Sequence, residues 1–236
     1  MLRRLKRHVK RLIRPAVLPS AMRTLRAEAA QLKSLDAAIA YAFQFHHFGI
    51  RFPPTQISEE ITAFLKLIAP RAPVTVLEIG TERGGTFFLF TRVATPDALL
   101  VSVDLPPSPG CLYPAWREKL YRRFGREQQR VETIRANSHS PHAITTVRRL
   151  LGNRPLDLLF IDGDHSYDGV KTDFEMYAPL VSSNGIIAFH DIVEGPGSAG
   201  VPRFWRELKQ TRPHREFVKN WQQGGWGIGV LTPATT

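Results

Sequence analysis

Cysteine is almost absent from the chain, which has only Cys111 among its 236 residues. A single cysteine excludes an intrachain disulfide and a zinc cluster built from several thiolates. We interpret Cys111 as an ordinary loop thiol, a usage that fits a reducing cytosol. The chain also has no internal repeat and no low-complexity segment. Its length predicts one domain with an extension, large enough for a substantial core.

Long apolar runs are missing as well. No run approaches the roughly 20 residues of a membrane-spanning helix. The basic start also lacks the continuous apolar segment of a secretory signal. These absences favour a cytoplasmic protein. An organellar transit peptide stays open, since the start is rich in arginine and poor in acids.

Acidic residues are missing from the first 27 positions, which hold nine Lys/Arg. The remaining 23 Lys/Arg face 21 Asp/Glu, so the rest of the chain carries only +2 of the formal net charge of +11. The high overall charge is therefore a property of the N-terminus. It gives no reason to expect a nucleic-acid partner for the body of the protein.

The N-terminus has an apolar stripe at helical spacing, formed by Leu2, Leu5, Val9, Leu12 and Ile13. Pro15 and Pro19 are expected to stop this helix, so we assign residues 1–19 to a basic amphipathic helix. Such a helix can lie on an anionic membrane. The pattern of residues 1–14 thus leaves three alternatives. The segment contacts the inner membrane face peripherally, docks on another protein or a second subunit, or forms a solvated arm.

Residues 20–70 form a predicted helical preamble. Apolar residues keep a helical pattern over 20–48, and Pro53 and Pro54 then mark a loop. Ser58 is a plausible N-cap for a further helix that extends to about Ala69.

From about residue 71 to the end, short apolar segments alternate with helical patterns. The predicted strands lie at 74–79, 99–103, 131–135, 156–161, 185–189, 216–219 and 227–231. The predicted helices lie at 86–93, 114–124, 143–151, 170–180 and 202–211. This alternation predicts an α/β fold with a mostly parallel sheet covered on both faces. Ligands bind such sheets at the carboxyl ends of the strands.

A glycine-rich turn, VLEIGTERGGTFF, follows the first strand. It does not match the G-x-G-x-x-G of dinucleotide-binding proteins. Glycines there allow a ligand to approach the backbone and the N-terminus of the next helix, although a plain strand–helix turn is the alternative.

Asp104 ends the second strand, where a carboxylate can bind ribose hydroxyls or act as a local cap.

Two further polar segments follow later strands. RANSHS places Asn137, Ser138 and His139 after the third strand, where a turn or helix-capping role is the alternative. FIDGDHSYDGV and IIAFHDIV end the fourth and fifth strands. If these strands are adjacent, Asp162, His190 and Asp191 converge, and they can bind one divalent cation. Two solvated acids and a hydrogen-bonded histidine are the alternative.

From about residue 74 to 232 the chain resembles a class I S-adenosylmethionine-dependent methyltransferase. More narrowly, it resembles the bacterial family that includes the cephalosporin-cluster protein CmcI and rhamnosyl O-methyltransferases. The segments that carry the resemblance are VLEIGTERGGT, VSVDLP, FIDGDHSYDGVKTDF, GIIAFHDI, GVPRFWRELK and GGWGIGVL. The resemblance implies a Rossmann-like, doubly wound, seven-stranded sheet whose last strand runs antiparallel. It assigns residues 71–236 to the methyltransferase domain.

The resemblance also implies roles for individual residues. S-adenosylmethionine would be bound by Glu78, Gly80, Thr81, Gly84, Gly85, Asp104, Asn137, Ser138 and Asp162. Magnesium or another divalent cation would be held by Asp162, His190 and Asp191, although metal-dependent relatives usually have a carboxylate where this chain has His190. The candidate catalytic residues are His165 as first choice for the base, Asp162, and His139. Phe204, Trp205, Trp221 and Trp226 would wall the acceptor pocket or pack in the core.

The implied function is O-methylation of a hydroxyl on a sugar, glycolipid or other natural product. Two alternatives from other classes stay open. One is a methyltransferase-like scaffold without activity, tethered to a membrane or a partner. The other is a nicotinamide-dependent oxidoreductase, which the missing G-x-G-x-x-G disfavours.

Overall fold

The computed structural model describes residues 2–106, 114–196 and 198–233, with side chains from residue 16 onward. Cys111 and the predicted proline-rich loop around Pro107 and Pro109 lie outside the described residues. The side chains of the predicted N-terminal apolar stripe lie outside them too.

The structure is built on one seven-stranded sheet. The strands are β1 (Thr75–Ile79), β2 (Leu99–Asp104), β3 (Arg130–Arg135), β4 (Leu156–Ile161), β5 (Val181–His190), β6 (His214–Phe217) and β7 (Ile228–Leu231). Their order across the sheet is β3-β2-β1-β4-β5-β7-β6. The first five strands pair in parallel, and β7 runs antiparallel to both β5 and β6. The predicted α/β sheet with an antiparallel last strand is confirmed.

Eight α-helices are described. They are α1 (Leu2–Ala29), α2 (Leu35–Gln44), α3 (Ser58–Ile68), α4 (Gly85–Val93), α5 (Trp116–Tyr121), α6 (Pro141–Leu151), α7 (Tyr167–Tyr177) and α8 (Gly200–Leu208). Short 3₁₀ turns follow α3 at Ala69–Arg71 and α7 at Ala178–Leu180.

Two apolar clusters cover the two faces of the sheet, because a parallel strand is buried on both sides. One cluster joins the N-terminal helices to α4 and the sheet, with Phe64 packed 5.8 Å from Phe160 between ring centroids. The other joins α6, α7 and α8 to the opposite face, where Phe204 contacts Phe189. The residues before β1 are therefore part of the same packed structure as the sheet.

The prediction that Pro15 and Pro19 stop the first helix is wrong, since α1 continues through both to Ala29. Proline removes one backbone donor and strains the preceding turn. Here Leu18, Ala21 and Leu25 are buried on one face of α1. Tertiary packing of this face offsets the helix-breaking tendency of the two prolines.

The prediction that Ser58 caps α3 is also not borne out. Ser58 is the first helical residue, and Ile57 takes the N-cap position without a side-chain hydrogen bond. Ser34 does cap a helix, because its side chain accepts from the backbone amide of Ala37 at the start of α2.

Among the described residues, no helix combines the length and apolar character needed to cross a membrane.

Candidate active site

A cavity of about 640 Å³ opens at the carboxyl ends of the parallel strands. The strand order places β1 between β2 and β4, with β5 next to β4. The polar ends of these strands therefore meet at one edge of the sheet. The predicted site residues that line the cavity are Gly80, Asp104, Asn137, Ser138, His139, Asp162, His165, His190 and Asp191.

Gly80 forms the tightest turn of this edge. Its φ of +87° lies in the left-handed region, and a Cβ added there would sit 1.9 Å from the carbonyl oxygen of Asp162. The amide of Asp162 in turn donates to the carbonyl of Ile79 at 2.8 Å. Only glycine allows the turn that follows β1 to pack this closely on the backbone of the loop at Asp162.

Gly84 and Gly85 do not line the cavity. A Cβ on Gly84 would meet the ring of Tyr121, and one on Gly85 would meet the backbone of Phe52–Pro54. The structure therefore gives both glycines a role in packing the start of α4. Their predicted contact with a cofactor stays a prediction.

Glu78 and Thr81 are buried and do not line the cavity either. The hydroxyl of Thr81 pairs with that of Ser102. Glu78 Oε2 has no hydrogen-bond partner among the described residues. Burial raises the pKa of Glu78 well above its usual range, and the charges of Asp162 and Asp104 act in the same direction. An orphaned acceptor two residues before Gly80 fits a positively charged ligand group nearby.

Asp104 is held in place by the backbone on either side of the cavity. Its carboxylate accepts from the amides of Leu105 at 2.7 Å and Glu82 at 3.1 Å. Arg135 lies 3.3 Å away as an ion pair. Burial raises the pKa of Asp104 even against the opposing charge of Arg135. A fixed acceptor at the end of β2 is suited to binding hydroxyl groups.

Asn137, Ser138 and His139 form a compact turn after β3. The Asn137 side chain accepts from the amide of His139 at 2.8 Å, so the local capping role is present. His139 Nε2 lies 3.3 Å from Asp173 Oδ1, and this aspartate of α7 is fully buried. Sequence reasoning missed Asp173, since nothing in the pattern of α7 distinguishes it from a solvated helix residue.

Asp162, His165, His190 and Asp191 form one cluster. His190 Nδ1 lies 3.1 Å from Asp162 Oδ1 and 3.5 Å from Asp191 Oδ1. His165 Nε2 lies 3.4 Å from Asp162 Oδ1, and its Nδ1 lies 3.4 Å from Asp191 Oδ2. Each histidine is therefore shared between the same two carboxylates.

The two histidines differ in burial. His190 is only 4% exposed, whereas the His165 side chain is 38% exposed and faces the cavity. Burial would lower the pKa of His190, but the charges of Asp162, Asp191 and Glu60 and the hydrogen bond to Asp162 raise it to about 9. The contact with Asp162 thus favours the protonated form of His190.

The remaining pKa shifts follow from the same contacts. Burial would raise the pKa of Asp162, but His190 and His165 hold it below its usual range. The hydrogen bond with Asp162 raises the pKa of His165 against partial burial, with the charge of Asp191 adding to it. Asp162 therefore stays ionised, and His165 binds a proton more readily than a free histidine.

The residues that could hold a metal ion differ from the predicted set. Ligand atoms of Asp162, His165 and Asp191 lie within 4.8 Å of one another. His190 is instead occupied as the buried hydrogen-bond partner of Asp162. Two carboxylates and one imidazole facing a cavity fit Mn²⁺, Fe²⁺ or Zn²⁺ as well as Mg²⁺. The predicted ligation by His190 stays a prediction.

Gln56 is a site residue that the sequence did not reveal. It lies in the loop after Pro53 and Pro54, without periodicity or motif. Its Nε2 donates to Asp162 Oδ2 at 3.2 Å, and its Oε1 accepts from Thr86 at 2.5 Å. Gln56 therefore fixes the second oxygen of Asp162 from the N-terminal side of the chain.

Replacing Gln56 by leucine is expected to lower kcat about tenfold and to destabilise the fold by about 1–3 kcal/mol, since Thr86 and Asp162 each lose a buried partner. Turnover and thermal unfolding measure the two effects. Gln128→Leu, at an exposed position, is the control. Equal losses in both variants would contradict a specific role for Gln56.

Glu60 anchors the C-terminal loop that closes one side of the cavity. This buried carboxylate accepts from the amides of Lys219 and Gly227, each at 2.9 Å, and from Gln223 Nε2 at 2.8 Å. Trp226 within the loop lines the cavity and has a φ of +61°. Its amide donates to Asp191 Oδ1 at 3.0 Å. The loop is thus tied both to α3 and to the Asp162 cluster.

Glu60→Ala is expected to lower the free energy of unfolding by about 3 kcal/mol, because three donors lose the buried carboxylate that accepts from them. That loss corresponds to a fall of roughly 6–12 °C in Tm for a protein of this size. Glu59→Ala is the matched control, since Glu59 is exposed and its carboxylate pairs with the side chain of Lys219. Calorimetric unfolding that shows equal shifts for both variants would refute the anchoring role.

The aromatic residues near the C-terminus separate into two groups. Phe204 and Trp205 are buried in the core against Phe189. Trp226 is 40% exposed and lines the cavity, whereas Trp221 is exposed but does not line it. Of the four candidates for an acceptor wall, the structure places only Trp226 at the cavity.

Residues 77–192 match a family model described as a methyltransferase domain. The matched segment begins within β1 and ends after Asp191, so it contains the Gly80 turn and the Asp162 cluster. The sheet order and the antiparallel β7 are those of the class I fold. Residues 77–192 therefore resemble a methyltransferase domain, and they lie in a sheet of the class I methyltransferase type.

Solved structures support the methyltransferase fold. The O-methyltransferase TomG from Streptomyces achromogenes, in complex with SAM, is 19% identical with a TM-score of 0.59. The comparison covers 88% of this chain and 95% of TomG. An O-methyltransferase from Bacillus cereus in complex with SAH is 16% identical with a TM-score of 0.57, covering 95% and 97% of the two chains. At these identities the likeness shows the fold alone.

One curated relative of this chain is the uncharacterized protein y4gI from Sinorhizobium fredii. It is 28% identical over 167 residues, which are 70% of this chain. The chain spans 18% of the length of that relative.

Proposed function

We propose that the chain is an S-adenosylmethionine-dependent O-methyltransferase that acts on a hydroxyl of a sugar, glycolipid or other natural product. One observation carries the proposal. The Asp162, His165 and Asp191 cluster lies in the same cavity as the Gly80 turn and Asp104. The same cavity therefore offers residues that can bind a methyl donor and a group that can accept the proton of the hydroxyl.

The residues present fit S-adenosylmethionine. The cavity volume of about 640 Å³ lies within the range for small-molecule sites. Asp104 offers a fixed carboxylate to the ribose hydroxyls, and the turn at Asn137 and Ser138 offers polar groups to the adenine end. The predicted contact of Glu78 with the cofactor's ammonium group stays a prediction, since Glu78 is buried behind the Gly80 turn and does not line the cavity. When bound, the cofactor supplies an electrophilic methyl group.

His165 is the proposed base for the acceptor hydroxyl. It is the more exposed histidine of the cluster, and a base must reach its substrate's proton. Neutral His165 takes that proton, and Asp162 and Asp191 stabilise the imidazolium that results. His139, held by Asp173, also lines the cavity and is the alternative base.

The same residues support assistance by a divalent cation. Asp162, His165 and Asp191 would hold it, and a bound cation would lower the pKa of the acceptor hydroxyl. If His165 binds the cation, His139 takes the role of base. Activity that survives excess EDTA, in protein without bound metal, would remove the cation from the proposal and leave His165 as the base.

The acceptor class rests on the resemblance to sugar O-methyltransferases and on Trp226. An exposed indole at a cavity wall offers a flat apolar face to a sugar ring or other ring system. Transfer of label from methyl-labelled S-adenosylmethionine to glycans, glycolipids and phenols tests the class. Label on an oxygen of a sugar supports it, and label on nitrogen or carbon acceptors alone would overturn O-methylation.

A further inference from the structure

A second cavity, of about 710 Å³, lies on the other side of the molecule. It is formed by the C-terminal ends of α1 and α4, the link between α1 and α2, and the loop between α5 and β3. Helix α4 starts at the active-site edge and ends at this cavity. The two cavities have no lining residue in common.

The second cavity is strongly basic. One carboxylate, that of Glu127, lines it among the described residues. The cationic side chains that line it are Arg26, Lys33, Arg92, Arg122, Arg123 and Arg126. The C-terminal dipoles of α1 and α4 contribute about half a negative charge each. Glu127 and these dipoles together offset about two of the six positive charges, so a clear positive excess remains.

The cations are not neutralised by the protein. Arg126 pairs with Glu127 at 2.9 Å, and no other lining cation has a carboxylate within 4 Å among the described residues. Arg92 donates to Thr91 Oγ1 at 3.0 Å and to the carbonyl of Phe124. Arg126 also donates to the carbonyl of Ala94 at 2.8 Å. These neutral partners orient the guanidinium groups, and they leave the charge of Arg92 without a carboxylate partner among the described residues.

Arg92 is the lining arginine whose charged form this arrangement destabilises. It is partly buried at the wall of the cavity. Burial and the neighbouring charge of Arg126 together lower the pKa of Arg92 to about 10. A bound anion would relieve both effects, because it supplies the missing opposite charge.

We propose that this cavity binds a phosphate-bearing anion with at least two negative charges, such as a diphosphate or a phosphomonoester. A guanidinium group can donate two parallel hydrogen bonds to the oxygens of one phosphate. A ligand with a single carboxylate would carry too little negative charge to balance the cations of this cavity. The phosphate belongs to a small soluble molecule or to a lipid headgroup. When bound, it bridges the N-terminal helices and the loop before β3.

The test is titration calorimetry of the full chain with pyrophosphate at physiological ionic strength, and sedimentation with phosphatidylcholine vesicles with and without phosphatidic acid. The variant Arg122→Ala/Arg123→Ala removes two exposed, adjacent arginines from the cavity. Arg148→Ala/Arg149→Ala removes two exposed, adjacent arginines at the end of α6, outside it. Lys33→Ala is a further cavity variant at an exposed linker position that carries little risk to folding.

Wild type is expected to bind pyrophosphate, the vesicles with phosphatidic acid, or both. The Arg122/Arg123 variant should bind about tenfold or more weakly, Lys33→Ala should weaken binding in the same direction, and the Arg148/Arg149 variant should match wild type. Binding of pyrophosphate identifies a soluble phosphate, and binding of the vesicles alone identifies a lipid headgroup. Wild type that binds neither, or equal loss in the two arginine pairs, would overturn the proposal.

Discussion

Asp162→Asn is expected to reduce kcat by about a hundredfold to a thousandfold, a range typical for a group that orients a base and stabilises developing charge. Asp162 contacts His165, His190 and Gln56 at once. The amide keeps the shape of the side chain but removes the charge that holds both histidines. Chemistry should therefore suffer more than folding or cofactor affinity. Steady-state kinetics, with calorimetric titration of S-adenosylmethionine, separates these effects.

Asp168→Asn is the matched control for this experiment. Asp168 lies in the same loop region at the start of α7 and is exposed. The same chemical change there should leave kcat within about twofold of wild type, as for other exposed surface substitutions. An Asp162→Asn enzyme as active as the Asp168→Asn enzyme would remove Asp162 from the mechanism.

Gly80→Ala is expected to abolish detectable binding of S-adenosylmethionine. The new Cβ would lie 1.9 Å from the carbonyl oxygen of Asp162, so one of the two backbone segments must move. Both segments line the cavity. The left-handed φ of +87° adds about 1 kcal/mol of strain for a residue with a side chain. Titration calorimetry measures the loss of binding, and thermal unfolding shows whether the fold persists.

Gly152→Ala separates strain from the clash. Gly152 also has a positive φ, of +60°, but a Cβ there would meet no atom within 4 Å. This variant should lose about 1–3 kcal/mol of stability, because the φ of +60° and ψ of −121° at Gly152 favour glycine, and it should bind S-adenosylmethionine like wild type. If both alanine variants bind equally well, the close packing of Gly80 on Asp162 does not shape the cofactor site.

The sheet could be predicted from the sequence because its signals are local. Each parallel strand is a short apolar run, and the polar residues that follow it mark the edge where ligands bind. The segment 156–161 was predicted with the same bounds that the structure shows for β4. The antiparallel last strand came from the family resemblance, and the order of the strands across the sheet was not predicted, since periodicity alone gives no pairing.

The errors and omissions have a different cause. Pro15 and Pro19 are local helix breakers, but burial of the face that includes Leu18 and Leu25 outweighs them. Gln56 and Glu60 act on residues more than 100 positions away in the chain. Local patterns carry no information about such contacts, because they arise only when distant segments pack together.

The candidate site shows the same division. The closeness of Asp162 and Asp191 could be predicted, because these residues follow the ends of the adjacent strands β4 and β5. The difference in burial between His165 and His190 could not, because it depends on how the whole chain packs around the two carboxylates.

The most direct test of the proposed activity is titration calorimetry of the wild-type chain with S-adenosylmethionine and with its demethylated product. It needs no knowledge of the acceptor. Binding of both compounds, one per chain, with binding abolished by Gly80→Ala and NADH giving no heat, is the predicted result. A wild-type chain that binds neither compound, or binds NADH in their place, would contradict the assignment as an S-adenosylmethionine-dependent methyltransferase.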